Sequence, residues 1–301
     1  MQTLRENEDA QVAEEVYPSR ESRACDANQD NPPCDGIAVR TQFLKRLWPT
    51  RFVRLVQAQV FEELKLKWTF VSGIKVQVLS RADWTLYNDI FVEGEYDPAL
   101  AALVHNLLGE SKAVVVDLGA NVGFFSLRLF HVFALRSISP GRLQIFAVEP
   151  SSANLRDLER RLQDQAEWNR CVSIVPGLVG EKRTGSAQLF ESHNHHMTTL
   201  VEAMKYPGAS RTGASFVDLD QVLPRDVPID LLKCDIEGAE VAFVRNYVSL
   251  LSRVRIAIFE VHHNVCEVGE LRQALESAGL TQERVLVDRG NTSVRMFSRG
   301  S

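Results

Sequence analysis

The sequence has few cysteines, no long hydrophobic run and no excess of positive charge, and each absence excludes a class of protein. Five cysteines among 301 residues form no closely spaced pair, which excludes a disulfide-rich scaffold and predicts reduced thiols. The longest mainly apolar run, residues 256–261, is far shorter than the roughly 20 residues of a membrane span. With 34 basic and 39 acidic side chains, the chain lacks the charge of a nucleic-acid binder. We therefore expect a cytoplasmic protein with no integral membrane segment and no nucleic-acid partner.

The N-terminal part of the chain differs in composition from the rest. Residues 1–35 carry nine acidic residues and three arginines, a net charge of −6, against −5 for the whole chain. This stretch has almost no apolar periodicity, so it cannot bury enough surface to offset its ordering entropy. Between residues 43 and 64, apolar residues at helical spacing alternate with lysines and arginines. That pattern predicts a helix with a solvated basic side, and a helix that binds an anionic partner or a membrane surface is the alternative.

From residue 113 onward, short β-branched runs alternate with helical patterns. The pattern predicts strands at 113–118, 143–148, 172–175, 187–190, 229–234 and 255–261. It predicts helices at 124–135, 152–165, 217–223, 239–251 and 267–278, and a closing hairpin of strands 284–287 and 292–297. Before them, it predicts a strand over 70–80 and a helix over 98–108. Strands that alternate with helices imply a mainly parallel sheet covered on both faces.

The sharpest local signal is a loop with two glycines between the first predicted strand of this region and its helix. The signal comprises Asp117, Gly119, Ala120, Asn121, Gly123 and Phe124. Glycines allow close approach to a ligand, and a helix start presents unpaired N–H groups. A dinucleotide fingerprint would need a third glycine in place of Asn121, and a phosphate loop would need a lysine after Gly123. A carboxylate at Asp117 suits a positively charged ligand, such as an ammonium or a sulfonium.

A second acid, Glu149, ends the next strand, directly before Pro150 and Ser151. In open parallel sheets, ligands bind outside the carboxyl ends of the strands. A carboxylate there can accept hydrogen bonds from both hydroxyls of a ribose. Asp117 and Glu149 together therefore fit an adenosine ligand with a cationic tail, S-adenosyl-L-methionine. An ordinary glycine-rich turn with a helix-capping acid is the alternative.

Several segments, in their order along the chain, resemble the FkbM-type methyltransferases. They are 117–123, 148–150, 219–220, 232–240 with its Lys-x-Asp-x-Glu-Gly-x-Glu run, and 259–262. The sequence departs from the family's commonest pattern at Cys234, where an aliphatic residue is usual, and at Asp218, where threonine is frequent. The resemblance covers roughly residues 70–301. It implies an α/β, Rossmann-like class I methyltransferase fold with a seven-stranded, mainly parallel sheet, and the use of S-adenosyl-L-methionine, usually for O-methylation.

The candidate catalytic residues follow the fourth and fifth strands of this predicted sheet. Asp235 and Glu237 come after the fourth strand, and His262 comes after the fifth. The methyl group of a sulfonium is already activated, so the protein mainly aligns the acceptor and excludes water. A general base would assist a hydroxyl acceptor, and His262 is a candidate because histidine titrates near neutral pH. An imidazole that only caps a strand end is the alternative, whereas Asp235 is expected to line the cofactor or acceptor pocket.

The domain organisation and function follow from these patterns. We predict a disordered tail over 1–40, an extension of helices and strands over 41–112 that covers the active site, and a methyltransferase domain over 113–301. The predicted acceptor is a hydroxyl of a small molecule or a glycan. A nucleotide-dependent oxidoreductase and a methyltransferase-like binding protein without turnover are the alternatives. No metal is predicted, because the histidines at 193, 195 and 196 do not converge on one tetrahedral ion.

Overall fold

A computed structural model describes residues 63–107, 112–191, 198–199 and 210–300. The predicted tail, almost all of the basic segment between 43 and 64, and the histidines near residue 195 lie outside these ranges. Within them, no helix is long and apolar enough to cross a bilayer. The same ranges contain no group of three or more histidine, cysteine or acidic side chains arranged to hold a metal ion.

The described residues form strands and helices that alternate along most of the chain. The strands are β1 (Leu66–Thr69), β2 (Lys75–Val78), β3 (Ala113–Leu118), β4 (Leu143–Glu149), β5 (Val172–Pro176), β6 (Ser186–Glu191), β7 (Thr198–Thr199), β8 (Ser210–Ser215), β9 (Ile229–Cys234), β10 (Val254–His262), β11 (Gln282–Asp288) and β12 (Thr292–Ser298). The α-helices are α1 (Arg81–Tyr87), α2 (Asp97–Asn106), α3 (Phe124–Leu135), α4 (Ser152–Gln163), α5 (Leu219–Val222), α6 (Glu240–Asn246), α7 (Val248–Leu251) and α8 (Val268–Ser277). A π-helical turn, Asn88–Val92, continues α1.

Seven of these strands form the central sheet, in the order β11-β12-β10-β9-β3-β4-β5. β3 pairs in parallel with both β4 and β9, and β10 pairs in parallel with β9. Only β12 runs against its neighbours in this sheet. β3 is buried at all six positions, as expected for a parallel strand covered on both faces. The predicted seven-stranded, mainly parallel sheet is confirmed.

The sheet separates two apolar cores. On one face, Val115, Leu231 and Ile258 pack with the aromatic residues of α3. On the other face, Val116, Leu232 and Phe259 pack with α6, α7 and α8. The alternation of side chains along each strand assigns residues to these faces. Residues of the extension, from Ile74 to Leu103, belong to the first core, so this part of the extension packs directly onto the sheet domain.

Several predictions of secondary structure were wrong in detail. The strand predicted over 70–80 is interrupted by a turn in which the Phe70 N–H donates to the Ile74 carbonyl and Gly73 has φ +81°. The helix predicted over 239–251 breaks at Tyr247 into α6 and α7. β8 was not predicted, because its sequence, Ser-Arg-Thr-Gly-Ala-Ser, has no apolar alternation. It forms by antiparallel pairing with β6.

The strand order determines where a ligand can bind. After β3 the chain moves to β4 on one side of it, and later strands occupy the other side, beginning with β9. The loops that follow β3 and β9 therefore leave the sheet next to one another. In open α/β sheets this switch point leaves a crevice at the carboxyl ends of the strands.

Candidate active site

An open cleft of about 550 Å³ lies at this switch point. Six of the predicted site residues line it: Gly119, Asn121, Glu149, Pro150, Asp235 and Glu237. Sequence reasoning missed the rest of the lining: Val148, Asn154, Gly177, Leu178, Val179, Leu189 and Ile236. Leu189 belongs to β6, in the small antiparallel sheet inserted between β5 and β9. The sequence indicated that residues 181–215 help to shape the pocket, but no local signal showed which of them line the cleft.

Glu149 is held at the base of the cleft by three hydrogen bonds. The backbone N–H of Asn121 donates to Oε2 at 2.8 Å, and that of Ser151 donates to Oε1 at 2.9 Å. The side-chain amide of Asn154 also donates to Oε1, at 3.2 Å. Burial raises the pKa of Glu149 to about 7, although these hydrogen bonds oppose the shift. The carboxylate therefore joins the glycine loop to the start of α4 while it lines the cleft.

Asp117 lies under the glycine loop and does not line the cleft. Its side chain is fully buried, with Oδ1 3.3 Å from Nζ of Lys233. The same ammonium donates to the Gly119 carbonyl at 3.0 Å and lies 3.5 Å from Oδ2 of Asp235. Burial alone would lower the pKa of Lys233, but the two carboxylates outweigh it and raise the pKa. The positive partner of Asp117 in this structure is thus Lys233, a residue of the family motif to which sequence reasoning assigned no role.

The glycine loop owes its shape to packing as well as to ligand access. Gly119 has φ +75°, and a Cβ there would lie 1.7 Å from the Asp235 carbonyl oxygen. Gly123 has φ +92°, and a Cβ there would lie 2.5 Å from a methyl of Leu158. Asn121 also has a positive φ, +53°. The glycines therefore allow the loop to pack closely against neighbouring chain segments of this protein.

Three other residues predicted to bind the cofactor lie outside the cleft lining. Ala120 and Phe124 are buried in the first apolar core, and the ring of Phe124 lies under the guanidinium of Arg161. Ser151 is the N-cap of α4, where its hydroxyl accepts a hydrogen bond from the Asn154 N–H. Their positions in the structure indicate support of the loop and the helix.

His262 is clamped between two carboxylates. Its Nε2 lies 3.3 Å from Glu237 and its Nδ1 lies 3.4 Å from Glu240, which is itself fully buried. Burial would lower the pKa of His262, but the two carboxylates outweigh it and raise the pKa to about 11. A raised pKa favours the protonated ring at neutral pH, in which both nitrogens carry a hydrogen. In this geometry His262 contacts Glu237, whose backbone is left-handed at φ +53°, and the general-base role of His262 stays a prediction.

We expect the two buried histidines of the described residues to differ in protonation state from pH 6 to 9. Burial lowers the pKa of His131 to about 4, so its ring stays neutral, whereas the His262 ring stays protonated. The ¹³C chemical shifts of the two labelled imidazoles, followed by NMR across this range, check the expectation. A His262 ring that titrates near pH 6.5 would favour the base hypothesis.

The seven-stranded sheet and the cleft at its switch point define a class I methyltransferase fold of the Rossmann-like type. A family model described as the methyltransferase FkbM domain matches residues 117–280, more than half of the chain. The protein belongs to this family, and the predicted resemblance is confirmed.

Solved structures of methyltransferases are among those similar to this chain. Precorrin-6y C5,15-methyltransferase from Geobacter metallireducens is 13% identical, with 68% of this chain and 87% of that chain covered and a TM-score of 0.39. The N-terminal domain of EvdMO1 with S-adenosylhomocysteine bound is 15% identical, with coverages of 85% and 99% and a TM-score of 0.42. Fibrillarin from Aeropyrum pernix with bound S-adenosyl-L-methionine is 15% identical, with coverages of 78% and 82% and a TM-score of 0.39. A search of curated proteins found no match.

Proposed function

We propose that this protein transfers a methyl group from S-adenosyl-L-methionine to a hydroxyl of a small molecule or a glycan. The observation that carries the proposal is the Glu149 carboxylate, oriented by Asn121 and Asn154 at a strand tip and facing the cleft. Each carboxylate oxygen can accept more than one hydrogen bond. Oε2 accepts only one of the three hydrogen bonds, so Glu149 keeps acceptor capacity for a hydroxyl of a ribose.

The rest of the cleft lining has chemistry that fits the same cofactor. Leu178, Val179 and Leu189 supply an apolar wall suited to a purine ring, and Asp235 supplies a carboxylate suited to a cationic tail. When bound, S-adenosyl-L-methionine supplies a methyl group on a positively charged sulfur. The chain's own residues bind and orient it, and the cleft wall shields it from water.

The acceptor side of the proposal rests on the residues that follow β9 and on the extension. Asp235 and Glu237 line the cleft, and the predicted catalytic role of Asp235 fits this place. Glu95, just before α2, accepts a hydrogen bond of 2.8 Å from Arg289 in the β11–β12 turn. These contacts bring the extension beside the strand tips, which supports the prediction that it covers the active site.

We expect Glu149→Gln to lower the affinity for S-adenosylhomocysteine about ten- to a hundred-fold at pH 8, the value of one charge-assisted hydrogen bond. Since the pKa of Glu149 in the free protein is about 7, the wild-type affinity should fall at lower pH. The fall should approach about tenfold per pH unit, because the bound state needs the ionised form. The variant should lack this dependence. Isothermal titration calorimetry from pH 5.5 to 8.5 measures both effects.

The matched control is Glu159→Gln on the exposed side of α4, which should bind as the wild type does. Thermal melting of both variants separates a binding defect from a folding defect. Wild-type affinity in Glu149→Gln would contradict the assignment of the ribose site. Tight binding of NAD with no binding of S-adenosylhomocysteine would favour the oxidoreductase alternative. Cofactor binding without transfer to any acceptor would favour the binding protein.

A further inference from the structure

Glu260 lies next to Asp235 at the open end of the sheet, although it was not among the predicted catalytic residues. Cys234 of β9 pairs with Phe259 of β10, so the next residues along the two strands, Asp235 and Glu260, are neighbours. By alternation, Glu260 is on the same sheet face as Ile256 and Ile258, which pack in the core beneath α3. Its side chain is partly buried. Glu260 is thus adjacent to a residue that lines the cleft.

The other acidic groups around these strand tips already have protein partners. Asp117 and Asp235 both form ion pairs with Lys233, and Glu237 and Glu240 both lie within ion-pair distance of His262. Glu149 accepts hydrogen bonds from three N–H groups, and Glu95 forms an ion pair with Arg289. The side chain of Glu260 makes no hydrogen bond and no ion pair with any residue that the structure describes. Among these carboxylates, Glu260 is the one whose side chain has no hydrogen-bond or ion-pair partner in the described part of the chain.

An unengaged carboxylate in this environment is unfavourable for the folded protein. Burial, followed by the charges of Asp235 and Glu95, raises the pKa of Glu260 to about 8. A partly buried charge without a partner costs free energy unless it binds a proton or a ligand. The charged and titratable groups that act on it come from every surrounding element: Glu95, Tyr96, Lys233, Asp235, Glu237, His262 and Arg289. A group that exchanges its proton near neutral pH suits general base catalysis.

We infer that Glu260 is the carboxylate that contacts the acceptor hydroxyl and receives its proton, an assignment that rests on the proposed function. In that step the acceptor oxygen forms a bond to the methyl carbon while the bond from that carbon to sulfur breaks. The electron pair of the broken bond stays on sulfur, and the proton of the hydroxyl passes to an oxygen of Glu260. The proton then leaves to solvent, which restores the carboxylate. His262 holds Glu237 in place and takes no proton.

The amine analogue sinefungin tests this position without an acceptor, because it carries an ammonium where S-adenosyl-L-methionine carries its methyl sulfonium. A carboxylate facing the methyl position should bind sinefungin more tightly than S-adenosylhomocysteine, which lacks a charge there. We expect Glu260→Gln to lower the ratio of sinefungin affinity to S-adenosylhomocysteine affinity about tenfold, the value of one charge-assisted contact. Calorimetry with the full-length protein measures both affinities.

The pH dependence gives a second readout. The wild-type ratio should rise between pH 7 and 9 as Glu260 loses its proton, since its pKa is about 8. The amine of free sinefungin has the same pKa in both experiments, so the difference between wild type and Glu260→Gln isolates the contribution of Glu260, including its effect on the bound amine. Glu260→Asp keeps the charge but places it one methylene further away, so it should retain part of the preference for sinefungin over S-adenosylhomocysteine. This variant replaces Glu260→Gln in the test if the glutamine variant does not fold. Glu276→Gln, an exposed change on α8, should leave the ratio unchanged.

The possible outcomes separate the two proposals. If the wild type binds both ligands and neither Glu260 variant changes the ratio by more than about twofold, Glu260 does not face the methyl position and the inference is wrong. The proposed function then still stands. If the wild type binds neither ligand, the proposed function fails and the inference fails with it. A selective loss of sinefungin affinity in Glu260→Gln, with the pH dependence also lost, supports the assignment.

Discussion

Replacing Lys233 with methionine should lower the free energy of unfolding by about 3–5 kcal/mol, the usual cost of removing one partner of a buried ion pair. Lys233 is 4% exposed and supplies the positive charge for Asp117, which is fully buried. Without it, Asp117 would be a charged group in an apolar interior, and the Gly119 carbonyl would lose its donor. Urea denaturation of the purified variant at pH 8 measures the loss.

The pH dependence of this loss has a definite sign. Burial already raises the pKa of Asp117, and removal of Lys233 raises it further, so the carboxyl binds a proton more readily. A protonated Asp117 needs no positive partner, so the deficit should shrink as the pH falls from 8 to 5.

Two further variants test this explanation. Asp117→Asn combined with Lys233→Met should recover part of the stability, because no buried charge remains. Lys182→Met, which removes the exposed ion pair with Asp220, should leave the unfolding midpoint nearly unchanged. Equal losses in Lys182→Met and Lys233→Met would contradict the role given to burial.

Gly119→Ala should lower the free energy of unfolding by about 2–5 kcal/mol, the sum of left-handed backbone strain and overpacking. The added Cβ would lie 1.7 Å from the backbone oxygen of Asp235, and neither chain segment can move without disturbing the central sheet. Because Asp235 lines the cleft, cofactor affinity should fall as well. Thermal melting and calorimetry with S-adenosylhomocysteine measure the two losses.

The matched control for this variant is Gly73→Ala in the β1–β2 turn. Gly73 has φ +81°, close to the +75° of Gly119, but a Cβ there meets no atom within 4 Å. Gly73→Ala should therefore lower the free energy of unfolding by the backbone strain alone, about 1–2 kcal/mol, and leave cofactor affinity unchanged. If Gly119→Ala lowers the free energy of unfolding by no more than Gly73→Ala does, the close contact with Asp235 does not contribute to the loss of stability.

Much of the sheet could be predicted because its signals are local. The β-branched runs of β3, β4, β9 and β10 and the helices between them are recognisable from periods of two and 3.6 residues. β8 was not recognisable, because it forms by pairing with β6, and no local signal marked the helix break at Tyr247. The same distinction holds for the site, where the acids at strand tips were predicted but the place of Leu189 in the cleft lining was not.

The sequence by itself determined the order of strands and helices, and with it the placing of Asp117, Glu149 and Asp235 at neighbouring strand tips. Only the tertiary structure decided the charge state and availability of each group. Lys233 pairs with Asp117 although the two are 116 residues apart in the sequence, and Arg289 pairs with Glu95 although they are 194 residues apart. The physical reason is that desolvation and ion pairing depend on which side chains meet in space. That is why His262, one of the candidate bases in the sequence, has its pKa raised by two acidic neighbours, while the side chain of Glu260 has no partner in the described part of the chain.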